Sequence, residues 1–118
     1  MNLESSRKYC LMKKGTAECF PFNDELLVFK VMDKIFCMAN LNYPGSLFLK
    51  CLPENAIEYR ERYDSVVPAY HMNKKHWITV ELDNSVPSKE IQNWIDNSYN
   101  LVVKGLPRIA QEKLGKMK

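Results

Sequence analysis

The sequence predicts a single-domain α+β fold, an antiparallel β-sheet with helices packed on one face. Two observations predict it. Short runs rich in aromatic and aliphatic residues are gathered between residues 18 and 82, divided by turn signals, as strands joined by tight connections would be. The helical patterns are segregated from these runs, an arrangement that favours α+β over strictly alternating βαβ units. A chain of 118 residues, 46% hydrophobic and 26% charged, can also bury one core without metals or disulfides.

Taken in order, residues 2–14 read as a helix, with Leu3, Cys10 and Leu11 at helical spacing and Gly15 as the stop. Strands are predicted over residues 18–22 and 25–31, with Asn23-Asp24 turning between them. Met32-Asp33 marks a tight reversal into a strand over 34–41. Asn42-Tyr43-Pro44-Gly45 is a second turn signal, before a strand over 46–51. Pro53 suits the first turn of a helix reaching about Tyr63, because its missing N–H costs nothing there. The apolar face of that helix is expected to use Ala56, Ile57 and Tyr63. Extended pieces follow over 66–70 and 75–82. In the second, Ile78, Val80 and Leu82 alternate with Trp77, Thr79 and Glu81, so Trp77 is expected on the face away from the core. Asp83-Asn84 turns the chain into the clearest helix, residues 87–104, whose Ile91, Trp94, Ile95, Ser98 and Val102 trace one stripe. Gly105 and Pro107 end it. Residues 109–118 are expected to be a basic, frayed or loosely docked tail.

The net charge of +3 is unevenly placed. Residues 104–118 carry five bases against Glu112, a net +4, so residues 1–103 sum to −1. A uniformly basic body, the stronger sign of polyanion binding, is absent. Apolar runs such as Leu26-Leu27-Val28-Phe29 are far too short to span a membrane, and no apolar segment follows the first charges as a secretory signal would. Cysteines 10, 19, 37 and 51 form no Cys-x-x-Cys pair and sit among apolar neighbours, which suits reduced thiols in the cytoplasm.

Residue types that serve partner recognition concentrate in one octet, Tyr70-His71-Met72-Asn73-Lys74-Lys75-His76-Trp77, which holds both histidines and one of two tryptophans. Its composition fits nucleic acid: lysines meet phosphates, asparagine can read an adenine edge, and aromatic rings offer stacking surfaces. Other chemistries find less. Zinc needs three or four convergent ligands, and His71 and His76 have no cysteine nearer in sequence than Cys51. On a continuous strand these two histidines would face opposite ways, as would His76 and Trp77. The glycines are isolated, so no phosphate-cradling loop is present. No motif marks a cysteine nucleophile, and the carboxylates are scattered, so no enzyme, cofactor or metal site is expected. Trp94 is expected in the core, and the Tyr99 hydroxyl near the octet.

Several pieces occur in an order that resembles the MmcQ/YjbR family of small bacterial proteins. They are Phe20-Pro21-Phe22, Leu27-Val28-Phe29-Lys30-Val31, Lys34-Ile35-Phe36, Leu49-Lys50-Cys51, the octet, and Ser98-Tyr99 through Lys104-Gly105-Leu106-Pro107. The resemblance spans about residues 3–108, with residues 1–108 taken as the domain, and the His-x-Asn-Lys-x-His-Trp string is its most specific part. It implies a fold like that of frataxin-type CyaY proteins and secretion chaperones. It also implies DNA binding through a basic β-wing; the motif positions matched here are Tyr70, His71, Asn73, Lys74, His76 and Trp77, to which the composition of the octet adds Lys75 as an expected contact. Iron delivery, which in the frataxin type needs an acidic first helix, does not fit Glu4 as the only acid among four bases here. The alternative is a protein- or small-ligand-binding module of chaperone-like fold, with aromatic anchors in the octet.

Overall fold

Met32 and Asp33 both adopt positive φ, 49° and 66°, the twist that turns one strand straight back on its neighbour. Around that two-residue reversal the computed structural model, which describes residues 1–42, 45–69 and 72–117, builds a six-stranded antiparallel sheet. The elements run α1 (Leu3–Leu11), β1 (Thr16–Cys19), β2 (Leu26–Val31), β3 (Lys34–Asn40), β4 (Ser46–Lys50), α2 (Pro53–Arg62), β5 (Val66–Pro68), β6 (Trp77–Glu81), α3 (Ser88–Lys104) and α4 (Arg108–Lys116). Strand order is β1-β2-β3-β4-β6-β5. Neighbours in the chain are neighbours in the sheet until α2, which crosses over and lets β6 insert between β4 and β5. The α+β class holds, with the helices on one face.

That face is set by alternation. Leu27, Phe29 and Val31 of β2, Cys37 and Ala39 of β3, Leu47 and Leu49 of β4, and Ile78 and Val80 of β6 all join one core cluster. From the helices Cys10, Ala56, Ile91, Trp94, Ile95, Val102 and Leu114 pack down on them. The expected α3 stripe is the buried stripe of that helix, residue for residue. Trp94 is core, as its place in the stripe required.

Phe36 interrupts the alternation. Phe29 pairs with Cys37 but Lys30 with Ile35, so Phe36 is the extra residue of a β-bulge. The bulge keeps Phe36 on the helix face beside Cys37, where the Tyr99 ring meets it edge-on at 5.2 Å. It also leaves the Phe36 carbonyl without a strand partner, since β3 and β4 pair no further than Cys37 with Leu49. Ser98 resolves this: its hydroxyl donates to Phe36 O at 2.5 Å and accepts from the Lys50 N–H at 2.9 Å.

Four expectations are corrected. The C-terminal stretch is a helix, not a frayed tail, because Leu114 is buried against the α1–β1 turn. Gly15 there has φ +71°, and a Cβ on it would come within 2.5 Å of the Leu114 side chain. On α2, Ile57 is 52% exposed; Tyr59 takes its place, stacking on Trp94 with ring centroids 4.4 Å apart. The Tyr99 hydroxyl donates to Lys14 O, in the α1–β1 turn, rather than toward the octet, because α3 lies against α1, where the Tyr9 hydroxyl also donates to Asp96. The first strand begins at Thr16 and ends at Cys19, leaving Phe20 and Phe22 exposed in the following loop.

Candidate functional site

The octet enters β6 through a turn rather than as a continuous strand. Asn73 organises it: its side-chain oxygen accepts from Lys75 N–H at 3.0 Å, and its carbonyl accepts from the N–H groups of His76 and Trp77, both at 3.0 Å. Asparagine favours such local bonding over ladder pairing. The strand starts only at Trp77, so the opposite-face relation expected of His76 and Trp77 does not apply. The same bonds engage the Asn73 amide oxygen, which a bidentate adenine contact would require. Asn73, Lys74, Lys75 and His76 are exposed, and Trp77 is half-buried. Tyr70 and His71 lie outside the described residues.

Two neighbours fix the turn to the fold. Cys51 N–H donates to His76 O at 2.8 Å, continuing the β4–β6 ladder past Lys50 and Trp77. From α2, the Arg60 guanidinium donates to Lys74 O at 3.4 Å. Lys50 and Arg60 therefore stand beside Lys74 and Lys75 at one end of the sheet. The ion pairs among the described residues lie elsewhere: Arg7–Glu18, Lys8–Glu4, Lys13–Asp96, Arg62–Glu90 and Arg108–Glu112. Within that set, Lys50, Arg60 and Lys75 have no carboxylate partner. The sequence marked Lys74 and Lys75 but not Lys50 and Arg60, which reach this end only through strand pairing and the α2 crossover.

A groove of about 460 Å3 opens beside the turn, between α2 and α3. Leu49, Cys51, Ile78 and Trp94 form its floor. Asn55 and Tyr59 line it from one helix, four residues apart on one face; Asn97, Asn100, Leu101 and Lys104 line it from the other, and Gln111 of α4 closes one end. Burial raises the Tyr59 phenol pKa, with the neighbouring Asn97 side chain acting more weakly the other way. Burial also pushes the Cys51 thiol up to about 11, with Arg60 pulling weakly the other way. A thiol so shifted stays protonated at neutral pH and is a poor nucleophile. Nothing in the octet signalled this groove, because its walls come from two helices distant in sequence and its lining amides have no motif.

The comparisons with known proteins agree with this architecture. A family model described as YjbR matches residues 11–101. The chain belongs to the YjbR family. Over 115 residues it is 35% identical to the YjbR protein of Escherichia coli K12, covering 97% of this chain and 98% of that one. It is 34% identical to the YbdF protein of Escherichia coli O157:H7 over 112 residues, covering 94% and 92%. Among solved structures, Deinococcus radiodurans protein DR2400, of domain family DUF419, superposes with a TM-score of 0.90 at 36% identity, covering 97% of this chain and 88% of that chain. A Pseudomonas syringae protein gives 0.75 at 30% identity, covering 86% and 98%. The family expected from the octet and its companion pieces is thus the family found.

Proposed function

We propose that this YjbR-family chain is a nucleic-acid-binding protein, not an enzyme, and that it holds the phosphate backbone with the basic end of its sheet. The observation that carries the reading is the set of cations there: Lys50, Arg60 and Lys75 have no carboxylate partner among the described residues, and Lys74 lies between them in an exposed turn. Phosphate contacts need such cations on a rigid support, and the Asn73 turn supplies the rigidity. His76 lies exposed in the same turn and Trp77 half-buried after it, with an indole edge for a base or sugar. With the Asn73 amide oxygen used internally, sequence-tolerant backbone binding fits better than base reading. A protonated Cys51 argues for binding over nucleophilic catalysis. The reading places the protein in the cytoplasm, in keeping with its free cysteines.

Fluorescence anisotropy with labelled duplex and single-stranded DNA tests it. Four neutralised phosphates give a log K against log salt slope of about −3.6, or roughly a hundredfold loss between about 50 and 200 mM salt. Charge reversal of Lys74 and Lys75 together should abolish binding. No binding at low salt to either DNA, with the protein folded, would refute the proposal.

A further inference from the structure

We infer that the groove between α2 and α3 is a separate small-molecule site, and that its ligand is an organic anion with an apolar body. Its volume, about 460 Å3, falls in the range of roughly 300–1,000 Å3 common to small-molecule sites. The floor is apolar: Leu49, Ile78 and Trp94 line it, and all three are buried side chains of the core. The walls are polar in a particular way. Asn55 of α2 and Asn100 of α3 both line the groove, and neither side chain has a hydrogen-bond partner among the described residues. Their amides can each donate and accept.

Charge complementarity selects an anion. Lys104 stands at one end of the groove without a carboxylate partner among the described residues. At the α2 end, Leu52 caps the helix with no side-chain bond, and the first helical bond there is Ala56 N–H to Leu52 O. The N–H groups of Glu54 and Asn55 are therefore left for a ligand or water, at the positive end of the helix dipole. No carboxylate is among the residues lining the groove. An apolar molecule bearing one carboxylate, sulfonate or phosphate matches floor and rim together. Lys74 and Lys75 of the basic turn lie outside the lining, while Lys50, on the strand beside that turn, lines the groove as a second cation.

The test compares two fluorescent probes with one aromatic body, 1-anilinonaphthalene-8-sulfonate and its uncharged parent N-phenyl-1-naphthylamine, by titration and competition. The folded protein should bind one sulfonate probe, roughly five- to tenfold more tightly than the neutral one, as a surface cation and a helix N-terminus together allow. Lys104→Met should cut that preference about threefold while leaving neutral-probe binding unchanged. Asn100→Phe, at an exposed helical position whose new ring fills the groove, should abolish both. Lys75→Gln, which weakens DNA binding under the proposed function, should leave both probes untouched, so the two proposals fail separately. Equal affinity for the two probes, several weak sites, or full binding in Asn100→Phe would overturn the inference.

Discussion

Replacing Ser98 with alanine removes the hydroxyl that completes the sheet where the β3 bulge breaks it. Ser98 is fully buried, and its oxygen serves both Phe36 O and the Lys50 N–H. Alanine keeps the helix, since its propensity there is better than serine's. It leaves one buried carbonyl and one N–H without partners, each costing about 1–3 kcal/mol, against which the relief of burying a hydroxyl is small. The expected loss is about 2–4 kcal/mol, a large share of the roughly 5–15 kcal/mol that holds a domain of this size together. In urea unfolding followed by far-UV circular dichroism, the midpoint should fall with the slope unchanged, and Tm should drop by roughly 10 °C. Ser88→Ala, on an exposed residue at the start of α3, serves as the comparison and should lose far less. A loss below about 0.5 kcal/mol in Ser98→Ala would show that the bulge is satisfied by other means and that the relay is incidental.

Three further outcomes are expected. Leu114→Ala should cost about 2–5 kcal/mol, as for a core leucine, and an unchanged midpoint would mean that α4 is not docked on Gly15. The Arg7 guanidinium, hydrogen-bonded to Glu18 at 2.5 and 2.8 Å, holds that carboxyl below the ordinary glutamate range. A lowered folded-state pKa contributes stability above the unfolded value, lost as pH falls through the folded one. NMR titration should therefore find the Glu18 midpoint low and moved upward in Arg7→Ala; identical midpoints would contradict the pairing. Lys75→Gln should flatten the DNA salt slope by about 0.9, and an unaltered slope would remove Lys75 from the contact set.

Most of the fold was legible because local patterns and tertiary packing agree. The α3 stripe at 3.6-residue spacing, the Met32-Asp33 reversal and the alternation of Ile78 and Val80 each report a buried face directly. The failures share a physical cause. Ile57 lost its expected place to Tyr59 because a ring stack on Trp94, distant in sequence, outweighed aliphatic character. The tail reads as frayed since Leu114 is its only buried residue among those described, although Pro107 ahead of Ile109 and Ala110 is a start signal that the sequence does carry. The bulge at Phe36 has no sequence mark at all. In the site, Asn73 offers both recognition and turn-forming chemistry, and composition alone does not signal the turn that its side-chain oxygen builds. Lys50, Arg60 and the groove required the crossover of α2 to be assembled.

The most direct measurement is a 15N NMR titration of the folded protein with a short duplex DNA at low salt. Amide shifts should concentrate on residues 73–77, on Lys50 and Cys51 of the adjoining ladder, and on the Arg60 side chain, and should vanish on adding salt. Shifts absent altogether, or confined to α1, α4 or the exposed Phe20 and Phe22 loop, would contradict a phosphate-binding role for this end of the sheet.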